Sequence, residues 1–477
     1  MAKEYGYLIN NKWHVSENKK EILNPYNSEV VAVINIPDID EARDSVNYSE
    51  QAARKFKEMP SHERSAILRR IVEGIDKKKE EFAETLVKEG GKPIKTARLE
   101  VERAKISFSV AAEEANRFSG GEVLPLDIIS GSEKRFGIVR RFPLGVVMGI
   151  SPFNFPLNLV AHKVAPAIAS MNALILKPAS QTPVSALMLG EVAIEAGLPE
   201  GTLNILPLPG GAIEPVAEDP RIKKISFTGS DVVGWELMSK HTKKKVTLEL
   251  GGNAAVIIDE DPPDFDFAAS RNAWGAFYQA GQSCISVQRI YVHEKIFDRY
   301  LDKFIEETKK LKLGDPMLED TDLGPVIDYH SADRIMKWIE EAVEKGAKIL
   351  TGGGREGKLI EPTVLTNVTP DSNVSCSEVF GPVVQIESYH DFDAALEQVN
   401  NTRYGLQAGV FTKDMKKAFK SYNVIETGGV IINDCPSFRV ENMPYGGIKD
   451  SGVGREGIKY AIKDMTELKL MVVNLDY

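Results

Sequence analysis

Helical and strand patterns alternate along most of this 477-residue chain, and that alternation restricts the fold more than any single residue does. Short apolar runs at 145–150 and 173–176 enclose a helical stretch at 157–169, and a second helical stretch covers 184–196. A strand, a helix and a strand in succession commit the strands to a parallel sheet with right-handed crossovers. Runs at 223–227 and 246–250 extend the series. After Gly251-Gly252 it restarts, with helices expected at 267–279, 294–312 and 331–346 and a strand at 289–292. Residues 39–119 are dominated by Ala, Glu, Lys and Arg at helical spacing. Residues 122–141 read as extended around Gly131, as in a projecting hairpin, and 468–474 as one apolar edge strand. The expected class is α/β, with a main boundary near residue 250 and a small third unit built from the hairpin and the C-terminal strand.

Composition removes several functions. A net charge of -10, from 59 basic and 69 acidic residues, argues against nucleic acid or an anionic membrane as partner. No apolar run reaches the roughly 18 residues that a membrane-spanning helix needs. The opening Met1-Ala2-Lys3-Glu4-Tyr5-Gly6 lacks the apolar core of a secretory signal. Three cysteines, Cys284, Cys376 and Cys435, are too few for a disulfide framework, so a reducing, cytoplasmic location is expected. No His/Cys cluster has zinc spacing, and no metal is expected.

Two glycine motifs separate on context. Gly352, Gly354 and Gly357 spell the dinucleotide fingerprint, but Leu359-Ile360-Glu361-Pro362-Thr363-Val364 follows where a helix should open, so a turn between strands is expected. Phe227-Thr228-Gly229-Ser230 instead follows a strand and leads into a helical pattern. There Gly229 permits close backbone approach, and Ser230 with the helix N-terminus offers donors to a phosphate.

Three further residues carry chemistry. Cys284 follows a helix in Gly281-Gln282-Ser283-Cys284, where an arbitrary cysteine would be structural. Glu249 is embedded in the apolar run Val246-Thr247-Leu248-Glu249-Leu250, a costly place for a carboxylate whose pKa burial would raise toward a general base's range. Asn154, in the rigid Ser151-Pro152-Phe153-Asn154-Phe155-Pro156, could form a turn or donate to an oxyanion.

Taken with Leu176-Lys177-Pro178-Ala179, Glu378-Val379-Phe380-Gly381-Pro382 and Pro444-Tyr445-Gly446-Gly447-Ile448-Lys449-Asp450-Ser451-Gly452, these segments resemble the aldehyde dehydrogenase superfamily nearly end to end. The resemblance implies a Rossmann-type NAD(P)-binding domain at 1–121 and 142–250, a second α/β catalytic domain at 251–445, and an oligomerisation unit at 122–141 and 466–477. It implies Cys284 as nucleophile, Glu249 as general base and Asn154 as oxyanion donor with the Cys284 N–H. Retention of Glu249 argues against the coenzyme A-acylating branch. The cofactor would lie against Ser151, Pro152, Phe153, Lys177, Ser180, Gly229, Ser230, Gly234, Leu250, Glu378 and Phe380. Where many NAD users carry Glu, this chain has Ser180, which removes a charge that would repel a 2′-phosphate; NADP should be tolerated, with NAD still open.

For the substrate, the resemblance marks Arg103, Phe155, Ser283, Ile285 and Arg439. On a helical wheel Arg103 falls with Leu99, Ile106 and Val110 in an apolar stripe, either paired with a nearby Glu or presented to an anion. Arg103 and Arg439 match phosphate-binding positions of non-phosphorylating glyceraldehyde-3-phosphate dehydrogenases, whereas Ser283 replaces that branch's third arginine. The stretch 438–444 is similar to lactaldehyde dehydrogenases and their sulfolactaldehyde- and phosphonoacetaldehyde-oxidising relatives. A small hydroxylated or anionic aldehyde is therefore expected, lactaldehyde-like first, glyceraldehyde 3-phosphate second, with succinate semialdehyde a further alternative. The rival classes are an inactive structural homologue and a thiol hydrolase using Cys284 with one of the seven histidines, of which His293 is nearest in sequence but ends a strand beside Glu294-Lys295 and reads as exposed. Resemblance implies a homodimer or homotetramer.

Overall fold

The computed structural model describes residues 2–118 and 121–475. The last residue of the expected 39–119 helical region, and the last two of the expected oligomerisation unit, lie outside them.

Two open sheets form the body. The first orders its strands Gly452–Val453, Lys245–Glu249, Ile222–Thr228, Val146–Ile150, Ala173–Lys177, Leu203–Ile205, Tyr7–Ile9 and Lys12–His14. The five from Lys245–Glu249 to Leu203–Ile205 are parallel, and antiparallel strands close both edges. The second sheet runs Lys348–Thr351, Thr363–Thr366, Val383–Tyr389, Val287–His293, Ala254–Ile258, Gln407–Phe411 and Gly429–Ile432, parallel except for its first pair. Strands buried on both faces read as unbroken apolar runs, which is why Val146–Ile150 and Ala173–Lys177 were legible. One face of the first sheet is covered by the core of helices Ser61–Lys77, Ile94–Arg117, Asn158–Ala169 and Val184–Glu195. Residues 446–465, which the sequence left unassigned, return to this body: Gly452–Val453 joins the sheet, and Ile458 and Ile462 of the helix Ile458–Asp464 enter the same core.

A three-stranded antiparallel sheet stands apart, with Arg135–Pro143 between Glu122–Pro125 and the edge strand Thr466–Asn474. Ile128 and Ile129, expected in extended backbone, lie in the exposed turn between strands. Gly352 and Gly357 lie in turns between strands, at φ 77° and 60°, with no helix opening there.

One expectation about the helix Ile94–Arg117 is corrected. Leu99 and Ile106 are exposed, and the buried stripe is Ala97, Glu100, Val101, Ala104, Ser107, Phe108 and Ala111. Small residues form the true interface because they allow helices to approach closely, so counting only large apolar side chains misplaced the face.

Candidate active site

Strand register brings the motifs together. Ile150 is aligned with Lys177 and Phe227, and Thr228 with Glu249, so the carboxyl ends of four parallel strands share one edge. In open α/β sheets ligands bind beyond that edge. Here it opens into a cavity of about 1100 Å³, lined by Ser151, Pro152, Phe153, Asn154, Lys177, Ser180, Gly229, Ser230, Glu249, Leu250, Cys284, Glu378 and Phe380.

Cys284 reaches this cavity through a strained turn. After the helix Phe265–Phe277, Gln279, Ala280 and Gly281 have φ of 57°, 53° and 69°. A Cβ on Gly281 would lie 2.0 Å from the Gly381 carbonyl oxygen, so close backbone contact dictates glycine there. The Cys284 thiol lies 3.0 Å from the Tyr445 hydroxyl, and burial pushes its pKa up to about 12. The Asn154 amide nitrogen donates to the Gln282 carbonyl at 2.9 Å, which anchors one N–H and leaves the second uncommitted.

Glu249 is the final residue of its strand. It is buried, and neither carboxylate oxygen has a hydrogen-bond partner among the described residues. Burial, followed by the nearby Glu456 charge, raises its pKa well above the ordinary carboxyl value.

A second, smaller cavity of about 30 Å³ meets the first at Leu159, Thr228, Glu249 and Cys284. Its other walls include Arg103, Phe155, Tyr278, Ser283, Ile285, Arg439, Tyr445 and Glu456. The thiol and the unpartnered carboxyl thus stand on the wall shared by a large nucleotide-sized cavity and a small one that two arginines help to line.

Comparison with known proteins agrees with this geometry. The sequence profile of the aldehyde dehydrogenase family matches residues 13–471. A 3-sulfolactaldehyde dehydrogenase of Priestia aryabhattai is 45% identical, with 99% of each chain covered. Aldehyde dehydrogenase 21 of Physcomitrella patens, solved with the reaction product succinate, is 46% identical at a TM-score of 0.98, covering 100% of this chain and 99% of that one. A glyceraldehyde-3-phosphate dehydrogenase of Methanocaldococcus jannaschii DSM 2661, solved with NADP, is 38% identical at a TM-score of 0.92, covering 96% and 100%.

The chain belongs to the aldehyde dehydrogenase family. It is an NAD(P)-dependent oxidoreductase that acts on aldehydes.

The long cavity of this aldehyde dehydrogenase has the donor set for a dinucleotide. Ser230 caps the helix Asp231–Lys240 without a side-chain bond, so the first-turn N–H groups stand at the cavity edge. Ser151 Oγ is buried without a partner. Among the described residues the Lys177 ammonium bonds only the Pro178 carbonyl, at 3.1 Å, and burial followed by the charge of Lys20 lowers its pKa to about 8. Glu378 accepts from the Gly252 N–H at 2.9 Å, and a Cβ on Gly251 would lie 2.6 Å from its carboxylate. Phe380 holds a left-handed φ of 47° and meets Phe153 edge-on at 5.8 Å. Gly234 is the exception among the expected cofactor residues: it lies outside the cavity lining and packs beneath Leu250, where a Cβ would come within 2.4 Å of that side chain.

Arg103, Phe155, Ser283, Ile285 and Arg439 all meet at the small cavity. The Arg103 Nε donates to Glu441 at 2.6 Å, a partner 338 positions away rather than a carboxylate on its own helix. Arg439 lies 3.7 Å over the Tyr445 ring and 3.5 Å from Glu456, and its Nε is buried without a partner. His293, by contrast, lines neither cavity.

Sequence reasoning missed the buried charges behind this pocket. Lys163 is paired with Glu456 at 3.0 Å, and His162 with Glu441. The signal was there in part: His162-Lys163 interrupts an otherwise apolar helix that is buried on every side. Glu441 and Glu456 carried no local signal, because their partners are far away in the chain. Among the described residues no group of three or more His, Cys, Asp or Glu is placed to hold a metal, and no helix is long and apolar enough to cross a membrane.

Proposed function

We propose that the chain oxidises a short hydroxylated or anionic aldehyde, lactaldehyde-like in its backbone, to the carboxylic acid through a thioester on Cys284. The observation that carries this reading is the common wall on which Cys284 and Glu249 stand between the two cavities. NAD(P), when bound in the long cavity against Ser151, Lys177, Ser230, Glu378 and Phe380, supplies a hydride acceptor.

The chain's own residues account for the rest. The Cys284 thiolate forms the S–C bond while the carbonyl π pair moves onto oxygen, where the free Asn154 N–H and the Cys284 backbone N–H stabilise it. Hydride loss leaves a thioester. Glu249 then takes a proton from water, the water oxygen bonds to the carbonyl carbon, and the S–C bond breaks to release acid and thiolate. A carboxyl with no hydrogen bonds and a raised pKa suits a base that must take up a proton near neutrality.

Size and charge support the substrate class. A water needs roughly 10–15 Å³ of such space, so about 30 Å³ suits a two- or three-carbon fragment rather than a long or aromatic aldehyde. Arg103 and Arg439 line the same space, and 3-sulfolactaldehyde is lactaldehyde carrying a sulfonate. The test is a panel of neutral and anionic short aldehydes followed by NAD(P)H absorbance, with Arg103→Ala and Arg439→Ala beside the parent. Selective loss on anionic aldehydes is expected; equal losses on both kinds would remove the anion site.

In this reading the first sheet with its helices is the cofactor domain, the second the catalytic domain, and the exposed strand Thr466–Asn474 with its hairpin the oligomerisation unit of a cytoplasmic homodimer or homotetramer. Free Cys284, Cys376 and Cys435 and the exposed Leu468, Leu470, Met471 and Val472 support it.

A further inference from the structure

Tyr445 is buried, and among the described residues the one hydrogen-bond partner of its hydroxyl is the Cys284 sulfur at 3.0 Å. The ring is held on two sides. Its backbone exchanges hydrogen bonds with Glu456, at 3.1 and 2.6 Å, and the Arg439 guanidinium lies 3.7 Å over one face. Arg439 is in turn held by Glu456, which Lys163 pins. A phenol fixed this firmly against a sulfur has one use that changes with the sulfur's state. A thiol is a weak partner, but a thiolate has no proton and accepts from an O–H donor strongly.

We propose that Tyr445 is a further catalytic residue, donating its phenolic hydrogen to the Cys284 thiolate and so maintaining the nucleophile where its surroundings disfavour the anion. This rests on Cys284 being the nucleophile. Without the hydroxyl the surroundings disfavour the anion: burial is the largest influence on the thiol, and Glu378 and Glu249 face it with negative charge. Arg439 is the cation that opposes them, and Tyr278 is the other phenol coupled to the sulfur. Burial keeps the Tyr445 phenol protonated well above the ordinary tyrosine range, so it remains a donor wherever the enzyme works. Once the sulfur becomes a thioester its acceptor strength falls, so the contact favours acylation and adds little to hydrolysis.

The test is the pH dependence of iodoacetamide alkylation at Cys284, read by peptide mass spectrometry so that Cys376 does not contribute, in the parent and in Tyr445→Phe. The expected result is a midpoint higher by about one pH unit and about tenfold slower alkylation at neutral pH, with the same plateau at high pH. The acylation rate should follow the same shift. If Tyr445→Phe loses its folded circular dichroism spectrum, 3-fluorotyrosine at 445, a more acidic phenol of nearly the same shape, should move the midpoint down. An unchanged midpoint, or a lower one in Tyr445→Phe, would overturn the proposal, the latter showing the thiol to be the donor. Alkylation needs no turnover, so this result is independent of whether short aldehydes are the substrates.

Discussion

Replacing Glu441 with Gln changes the charge of the substrate pocket while keeping its shape. Around the small cavity Arg103, Arg439 and Lys163 are cationic. Glu441 is anionic, its pKa held below the usual carboxylate range by His162 and then Arg103 despite burial, and the Lys163 charge holds Glu456 down at about 2 against the opposing burial. Burial lowers the His162 pKa and raises that of Glu249, so neither is counted here as a fixed charge. The balance is one net positive charge, which suits a singly charged aldehyde such as a sulfonate or carboxylate better than a phosphate dianion. Glu441→Gln makes that balance two while still offering an acceptor to Arg103 Nε. For a ligand charge about 6 Å from the lost carboxylate, with an effective dielectric of about 20, 332/(20 × 6) gives about 3 kcal/mol. Because Arg103 keeps 28% of its side chain exposed, solvent reduces this to about 1–2 kcal/mol per unit charge. The assay is kcat/KM for glyceraldehyde 3-phosphate, succinate semialdehyde and neutral lactaldehyde. The dianion-to-monoanion ratio should rise about tenfold and the neutral aldehyde should stay level. Losing a buried carboxylate partner also lowers stability by several kcal/mol, so folding must be verified at the assay temperature. An unchanged ratio, or an equal gain on the neutral aldehyde, would refute the charge-balance reasoning.

Glu249→Gln should keep the rapid first turnover and slow the steady state about 10²–10⁴-fold, giving a burst of one NAD(P)H per active site in a stopped-flow trace. The same variant should be more stable than the parent at high pH. Burial raises the folded Glu249 carboxyl above 4.5, so the unfolded chain gives up this proton first and ionisation weakens the fold progressively as pH rises beyond 4.5. The Tm gain should therefore be small at about pH 5 and largest at about pH 8, and a gain confined to low pH would contradict it. Gly252→Ala would place a Cβ 2.1 Å from the Cys284 carbonyl oxygen, so a loss of about 3 kcal/mol or more is expected in urea unfolding, together with loss of activity. Ser180→Glu should lower kcat/KM for NADP at least about tenfold and leave NAD unchanged or improved, because a carboxylate repels the 2′-phosphate.

Local sequence was enough for much of this protein. The doubly apolar strands, the helices between them, the strand-end motifs and the isolated Glu249 in an apolar run each express a short-range constraint, and the chain displays those directly. Even the rejection of the 352–357 glycines depended only on what followed them. Errors arose where packing rather than pattern decided. The helix Ile94–Arg117 turned its alanines inward and left Leu99 and Ile106 to solvent, and Gly234 packs beneath Leu250 rather than lining the cavity itself. The pairs Arg103–Glu441, Lys163–Glu456 and Cys284–Tyr445 span 338, 293 and 161 positions. What the sequence by itself determined was the set of elements and the chemistry at their ends, because period and turn residues act over a few positions. Only the tertiary structure decided which charges neutralise one another and which hydroxyl meets the sulfur, because electrostatics and hydrogen bonding depend on distance in space.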